Sequence, residues 1–305
     1  MTWFRTMMFV CALIFLGHHS VFAQRDFDTL EVDDAEFLQL MQKSQKLNKE
    51  QKLRAKRTKN PRILARLSMD EDSGVRFYVG FNPSTPDSAL LRLSRDPNQT
   101  VRWAVALNDK IPDDAMFALA TDYAEIVRVG LASNPKVSPV VLRNLAGDES
   151  ISVRRKVSLN PNTDPLILDI LSRDDERSVR LSVAKNAHTP LRVMEGFSVS
   201  EDDSFRVEAA KNSGTSSAVL IGLIFDPVVA VRKAAAEHNS MPSPGLMRLA
   251  SDKEVAVRRA VVQNPSVTME ALKQLSFDQD EDIKKIARIR LTLILREHVV
   301  EDRER

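Results

Sequence analysis

The chain has 305 residues, and its 44 lysines and arginines nearly balance its 42 acidic residues, so its formal net charge is +2 at pH 7. This balance gives no electrostatic reason to expect nucleic acid or an anionic membrane surface as a partner. The chain has a single cysteine, Cys11, which excludes an intramolecular disulfide framework and a cysteine-rich metal site.

Residues 1–23 have the pattern of a secretory signal peptide. Arg5 supplies a positive charge, residues 7–17 form an apolar run, and Val21-Phe22-Ala23 is a small-residue cleavage site. The apolar run is too short to cross a bilayer core of about 30 Å, although a retained signal anchor is an alternative. We therefore predict an exported protein, periplasmic or secreted, with no integral membrane segment after cleavage.

Residues 24–60 are predicted to form a charged amphipathic helix that caps the first repeat. Acidic residues come first and basic residues last, which suits the helix dipole, and Phe37, Leu40, Met41 and Leu47 keep helical spacing. Two alternatives are a basic helix presented to a partner or a membrane surface, and a partly disordered linker.

From residue 61 to residue 282 the chain is built from repeats 26 residues long. Residues 60–73 match only the second half of a repeat, and eight full copies follow from residue 75 to residue 282 without insertion. A fixed period of this length is the signature of a solenoid, in which each unit packs on its neighbours.

The spacing of the apolar residues predicts two short helices per repeat. Counting from the opening residue as position zero, positions 0 and +4 are apolar, as in Val101 and Val105. Positions +15 and +18 are also apolar, as in Met116 and Leu119. Each spacing places two apolar side chains on one face of a helix. Because 26 residues are fewer than the roughly 40 that a domain usually needs to fold alone, these faces are expected to be buried against adjacent repeats.

Polar residues and prolines mark the predicted helix ends. Asn occupies position +7 in seven repeats, where its tolerance of the left-handed conformation is expected to end the first helix. A Thr or Ser beside a Pro, as in Thr85-Pro86, Thr189-Pro190 and Ser243-Pro244, is expected to cap the second helix with its hydroxyl.

Two charged columns run through the repeats, with an Arg one residue after each repeat start and an Asp five residues before it. The arginines are Arg76, Arg102, Arg128, Arg154, Arg180, Arg206, Arg232 and Arg258. The aspartates are Asp70, Asp96, Asp122, Asp148, Asp174, Asp226, Asp252 and Asp278, with Ser200 as the exception. Because guanidinium and carboxylate groups match in geometry, we predict a structural ladder across the repeat junctions. The alternative is an arginine row that binds phosphates or carboxylates of a ligand.

The repeat that opens at Phe205 is the least regular, because it lacks the preceding Asp and adds Gly214 and Gly222. This irregularity indicates a small bend, a local binding loop or decayed sequence.

The phrase Val-Arg-x-x-Val-Ala-x-Asn-Pro-x-Thr-Pro-x-x-x-Leu-x-x-Leu-x-x-Asp resembles the variant leucine-rich repeat family, a relative of HEAT-type α-solenoids, over roughly residues 60–290. The resemblance implies an all-α, right-handed superhelix of about eight repeats that is used for macromolecular contacts. Residues 283–305 are then a C-terminal capping helix and charged tail. The chain departs from the family in having slightly longer repeats than many members, and it lacks the cysteine cluster of the metal-bearing example.

No catalytic or metal site is predicted. His188, His238 and His298 lie at unrelated repeat positions, and zinc-type spacing, a nucleophile elbow and a phosphate-binding loop are all missing from the sequence. We therefore predict a protein that is not an enzyme and takes no cofactor or metal.

The positions turned away from the predicted core, +2 and +6, change along the chain from apolar to basic. The predicted partner-binding residues are Phe77, Phe81, Trp103, Leu107, Val129, Arg155, Lys233, Arg259 and Lys285. An exposed apolar patch usually marks a contact. Two alternatives are that the helix of residues 33–50 covers the patch and that neighbouring subunits do so. The interpretation is a non-catalytic protein-interaction or scaffold module that binds a protein or peptide. The alternative is a HEAT-like nucleic-acid-binding or enzyme-accessory protein. The sequence sets neither the partner nor the oligomeric state.

Overall fold

The computed structural model describes residues 34–304, with side chains over residues 46–295. The predicted signal peptide of residues 1–23 lies outside this range. Within it the chain forms nineteen α-helices and no strand. The fold is an all-α solenoid of helix pairs.

The chain divides into two units, one ending at Val141 and the other beginning at Leu142. The first unit contains α1 (Asp34–Arg57), α2 (Pro61–Leu67), α3 (Ser73–Phe81), α4 (Asp87–Leu93), α5 (Gln99–Ala106), α6 (Asp113–Ala120) and α7 (Glu125–Ser133). Helix α8 (Pro139–Leu145) spans the division.

The second unit contains α9 (Ile151–Leu159), α10 (Pro165–Leu171), α11 (Arg177–Lys185), α12 (Leu191–Ser198), α13 (Asp203–Lys211), α14 (Ser217–Leu223) and α15 (Val229–Glu237). It continues with α16 (Ser243–Leu249), α17 (Val255–Gln263), α18 (Met269–Leu275) and α19 (Glu281–Glu304).

Each full repeat contributes a first helix of eight or nine residues and a second helix of seven or eight, as in the pair α5 and α6. Helices this short are marginal in water, so packing must stabilise them. Successive first helices pack on one another, α3 on α5 and α5 on α7 in the first unit. The residues that open the repeats, such as Val75 in α3 and Val101 in α5, are fully buried.

Small residues allow the first helices to approach closely. At Gly80 in α3, an added Cβ would lie 3.2 Å from the Val105 side chain and 3.3 Å from the Ala104 Cβ, both in α5. Burial of each large apolar side chain contributes about 1.5–3 kcal/mol, and Leu90 and Leu119 are both fully buried in the first unit.

The predicted conformation of the Asn column was wrong. Asn82, which follows α3, has φ −76° and ψ 123°, and Asn186, which follows α11, has φ −77° and ψ 126°. The backbone is therefore extended there, not left-handed. The physical reason lies in the side chain, which turns inward and binds the preceding repeat.

The predicted hydroxyl caps were also wrong at Thr85 and Thr189. A proline occupies the cap position before α4 and α12, without a side-chain hydrogen bond. The buried hydroxyls donate instead to the carbonyls of Val79 and Val183, each at 2.6 Å. Ser243 is itself the first residue of α16, so it does not cap that helix from outside.

Helix α1 lies against α3. The Asn82 amide nitrogen donates to the carbonyls of Ala55 and Thr58 at 2.8 and 2.9 Å, which are contacts that later asparagines make with the first helix of the preceding repeat. At the other end of the chain, α19 packs on α17 and α18. None of the helices in the described range is both long and apolar enough to cross a membrane.

Candidate functional site

Within each unit, asparagines of the column tie a repeat to the preceding one. In the first unit, the Nδ2 of Asn108 donates to the carbonyls of Gly80 and Asn82 at 2.7 and 3.0 Å, and its Oδ1 accepts from the Lys110 amide at 2.9 Å. In the second unit, Asn212 makes the same contacts with Ala184 and Asn186. These buried amides satisfy backbone groups at the helix ends, where carbonyls have no partner within the helix.

Two other residue types occupy this column: His238 keeps one of the two carbonyl contacts, and Arg290 keeps both. The Nε2 of His238 donates to the Asn212 carbonyl at 3.0 Å, because its Nδ1 accepts from the Ser240 amide. Arg290 donates from Nη1 to the carbonyls of Val262 and Asn264 at 2.7 and 2.8 Å.

The charged columns form bidentate pairs that bridge the repeat junctions. In each, the arginine Nε and Nη2 donate to the two oxygens of the aspartate twenty residues later, with Nε–Oδ2 distances of 2.5–2.7 Å. The pairs are Arg76–Asp96, Arg102–Asp122, Arg154–Asp174, Arg206–Asp226, Arg232–Asp252 and Arg258–Asp278. We call each of these arrangements a rung.

The third nitrogen of each arginine holds the loop before its own helix. The Nη1 of Arg206 donates to the carbonyls of Ser200 and Glu201 at 2.7 and 3.1 Å. Arg128 likewise donates from Nη1 to the Asp122 carbonyl at 2.7 Å. Asp70 and Asp148 each accept a backbone amide at Oδ1, from Asp72 at 3.0 Å and from Ser150 at 2.8 Å.

In the rung of Arg258 and Asp278, the pairing raises the pKa of the arginine and lowers that of the aspartate. Hydrogen bonds from Arg258 lower the pKa of Asp278 against the opposing effect of burial. The carboxylate of Asp122 raises the pKa of Arg102 in the same way. The charged forms are therefore the favoured forms in the folded state.

Among the column arginines of the second unit, Arg180 is the one for which the described residues show no aspartate partner. Its Nη1 donates to the carbonyls of Asp174 and Asp175 at 2.6 and 2.8 Å, as in a complete rung. Ser200 stands where the aspartate of the rung belongs. The neighbouring Arg177 pairs instead with Asp202 at 2.6 Å, which lowers the pKa of Asp202 to about 2.

The structure brings three of the predicted partner-binding residues together in the first unit. The Phe77 ring lies 6.4 Å from that of Phe81 and 6.3 Å from that of Trp103, with interplanar angles of 7° and 16°. We call these three side chains the aromatic cluster. Phe77 and Trp103 are half-buried, whereas Phe81 is 53 % exposed.

Two neighbours of the aromatic cluster were missed by the sequence reasoning. Tyr78 lies edge-on to Phe77 at 5.3 Å between ring centroids. Gly130 in α7 makes room for Trp103, because an added Cβ would lie 2.7 Å from the Trp103 Cδ1. Two other predicted binding residues are half-buried: Leu107 directly follows α5, and Val129 lies within α7.

The predicted basic residues lie in the second unit, where two of them form local pairs. Lys233 lies 2.9 Å from Glu237, and Arg259 lies 3.2 Å from Asp280. Arg155 and Lys285 are exposed. A shallow cleft of about 370 Å³ is lined by Arg259, Gln263, Asp282, Lys285, Ile286 and Ile289.

Among the residues with described side chains, no group of His, Cys, Asp or Glu is arranged to hold a metal ion. His188 is exposed, His238 belongs to the Asn column, and the side chain of His298 lies outside the described range.

No family model and no curated protein matches this chain. Among solved structures, the chain is similar to one described as a leucine-rich repeat variant with a novel repetitive protein structural motif. The two share 23% sequence identity over 72% of this chain and 87% of the other, with a TM-score of 0.52. At this level of identity the similarity concerns the fold, and the chain therefore has the helical repeat fold of the leucine-rich repeat variant.

Proposed function

We propose that this chain is a non-catalytic protein-binding module, and that its aromatic cluster holds an apolar segment of a partner protein. The observation that carries the proposal is the near-parallel stack of Phe77, Phe81 and Trp103 at the surface of the first unit. Aromatic side chains at a surface supply the largest contributions to binding at protein interfaces.

The aromatic cluster is held rigidly enough to act as a preformed surface. Phe77 and Phe81 lie one helical turn apart on α3, and Trp103 projects from α5 against the backbone of α7 at Gly130. A ring fixed in this way loses little conformational freedom when a partner binds, so more of the contact energy appears as affinity.

The buried polar groups support a structural role for the repeats in place of catalysis. The Asn108 amide is bonded to two backbone carbonyls, and the Arg102 guanidinium is bonded to a carboxylate and a carbonyl. These contacts give both groups a part in joining the repeats.

The basic residues of the second unit give little support to a nucleic-acid function. Two of them, Lys233 and Arg259, have an acidic side chain within 2.9 and 3.2 Å. Phosphate binding would have to compete with these pairs, which weakens the electrostatic attraction that dominates nucleic-acid binding.

Export of the protein rests on the pattern of residues 1–23 and is part of the proposal. Cleavage after Ala23 would leave Gln24 as the first residue. N-terminal sequencing of the protein isolated from its native cells tests this directly, and an intact Met1 on the isolated protein would refute cleavage.

The binding test compares two matched phenylalanines of the first unit. Phe81 is 53 % exposed and belongs to the aromatic cluster, whereas Phe117 is 47 % exposed on the second-helix side. Partners are captured with the wild type, purified, and titrated against Phe81→Ala, Phe117→Ala and the double variant Phe77→Ala/Trp103→Ala.

We expect Phe81→Ala to weaken binding at least tenfold, or about 1.4 kcal/mol, with Phe117→Ala close to wild type. Circular dichroism and thermal unfolding establish that each variant is folded. Equal affinity for wild type and for folded variants of the aromatic cluster would refute the proposed site.

A further inference from the structure

The rung that Arg180 should complete is open. The six rungs named above place a carboxylate against the Nε and Nη2 of the arginine, and the four in the second unit have Nε–Oδ2 distances of 2.7 Å. No described residue accepts a hydrogen bond from the Nε or Nη2 of Arg180. Both nitrogens are in contact with solvent.

The guanidinium of Arg180 nevertheless has the orientation of a complete rung. Its Nη1 is fixed by the carbonyls of Asp174 and Asp175, just as the Nη1 of Arg154 is fixed by those of Asp148 and Glu149 at 2.8 and 3.1 Å. A planar guanidinium held along one edge directs its other edge in a fixed direction. In the complete rungs, such as that of Arg154, this edge meets the aspartate twenty residues later, and Ser200 occupies that position relative to Arg180.

Ser200 replaces only part of what the aspartate does. Its Oγ accepts from the Asp202 amide at 3.3 Å, which is the turn contact that Asp226 makes with Val228 at 2.8 Å. Serine is shorter than aspartate and supplies neither the charge nor the second oxygen. The two donors of Arg180 thus face a site shaped for a carboxylate.

Exposed apolar side chains lie close in sequence to the open rung. Val199, next to Ser200, is 81 % exposed, and Phe225 at the following junction is 65 % exposed. A Cβ added at Gly196 or Gly222, on α12 and α14, would meet nothing within 4 Å. The surface at these two glycines, in the helices that flank the junction at Ser200, is therefore open.

We propose that Arg180 binds a carboxylate of a partner polypeptide, with an apolar residue next to that carboxylate packing on Val199. The proposal is independent of the aromatic cluster, because that cluster belongs to the first unit. The geometry is supplied by the repeats themselves, since the partner's carboxylate takes the place of the missing aspartate.

The flanking charges favour a singly charged carboxylate over phosphate. Glu201 and Asp203 are both exposed beside Ser200, and Asp202 is already paired with Arg177. A phosphate dianion carries about twice the charge and would be repelled more strongly by these carboxylates.

The first test closes the rung from within the chain. Ser200→Asp should raise the thermal midpoint by about 2–4 °C, because Arg180 gains the partner that the other rungs have. Asp226→Ser, which opens the rung of Arg206, should lower the midpoint and is the matched control. A midpoint for Ser200→Asp at or below that of the wild type would overturn the proposed orientation of Arg180.

The second test uses a defined probe with the full chain. The blocked tripeptide acetyl-Leu-Asp-Leu amide is titrated while the Arg Nε–H resonances are followed by NMR, with Arg180→Lys identifying the resonance of interest. The Arg180 signal should shift saturably, and that of Arg154 should not. The same peptide with Asn in place of Asp should bind at least tenfold more weakly.

The carboxylate could also come from the free C-terminus of the partner polypeptide. The peptide acetyl-Leu-Asn-Leu with a free C-terminus tests this source. Ser200→Asp should abolish the shift for both carboxylate peptides, and Phe81→Ala should leave it unchanged. Equal responses to the Asp and Asn amides, or an undiminished response in Ser200→Asp, would overturn the proposal. Loss of binding in Phe81→Ala alone would bear only on the aromatic cluster.

Discussion

Replacing a buried asparagine of the column should lower the free energy of unfolding more than replacing an exposed polar residue. Asn108 is 2 % exposed and makes three hydrogen bonds, to the carbonyls of Gly80 and Asn82 and from the amide of Lys110. Asn108→Ala removes all three and leaves the backbone groups without their side-chain partner.

The size of the effect follows from these contacts. Each hydrogen bond contributes about 1 kcal/mol net, and a buried group left without a partner costs about 1–3 kcal/mol. The Asn82 carbonyl keeps a bond from the Thr85 amide at 3.0 Å, and Lys110 is exposed to water. The Gly80 carbonyl therefore bears the largest cost, and we expect a total loss of about 3 kcal/mol.

Equilibrium urea unfolding, followed by circular dichroism, measures this loss. Asn239→Ala is the control, because Asn239 is exposed, and it should change the free energy of unfolding by less than about 0.5 kcal/mol. If Asn108→Ala cost no more than the control, the amide column would not hold the repeats together.

The isosteric variant Asn108→Asp separates the lost donor from the lost volume. An ionised carboxylate would place an oxygen against two carbonyl oxygens, so this variant should be less stable than Asn108→Ala at neutral pH. Burial raises the pKa of such a carboxyl. Its folded pKa therefore exceeds its unfolded value of about 4, and stability should recover as the pH falls toward that value.

Three further changes test the polar columns and the aromatic cluster. Hydrogen bonds from Arg258 lower the pKa of Asp278. The pair therefore stabilises the folded state above the unfolded pKa of about 4, and this contribution is lost as the pH falls below that value. The urea midpoint of the wild type should therefore fall between pH 5 and pH 3, and Asp278→Asn should show a smaller fall. His238→Asn should raise the free energy of unfolding by about 0.5–1.5 kcal/mol, because it adds the second carbonyl bond of the other column residues; a lower urea midpoint would contradict this. Gly130→Ala should destabilise by about 1–3 kcal/mol and alter tryptophan fluorescence, since the new Cβ would displace Trp103; an Ala variant as stable as the wild type would show that the ring moves freely.

The period of the sequence was sufficient to predict the fold. Residues one period apart, such as Val75 and Val101, have equivalent burial because they occupy the same position in equivalent helices. The solved leucine-rich repeat variant confirms the predicted all-α repeat architecture. A repeat is predictable in this way because its environment is a copy of itself, so one consistent pattern is tested eight times along the chain.

The Asn column was assigned the wrong role because local rules were applied to a contact between repeats. Taken locally, Asn before Pro predicts a helix end. In the structure, the side chains of Asn82 and Asn108 donate to backbone carbonyls of preceding helices. The sequence carried a signal for this, since a helix end that needs only a left-handed residue would accept Gly. Asn in seven repeats indicates that the amide group itself is required.

The aromatic cluster was only partly predictable. Phe77 and Trp103 share a position one period apart, which placed them side by side before the structure was known. The support of Trp103 by Gly130 depends on the distance between α5 and α7, which no single-sequence pattern supplies.

Substitutions at the column positions differ in whether they keep the hydrogen bonds that the usual residue makes. His238 and Arg290 replace column asparagines, yet each still donates to a carbonyl of the preceding repeat. Ser200 replaces a column aspartate without any described residue taking over its bond to Arg180. A substitution that keeps the hydrogen bond needs no further explanation, because stability alone retains it. Arg180 lacks the ion pair that its counterparts have, and the carboxylate of the proposed partner would supply it beside the exposed Val199.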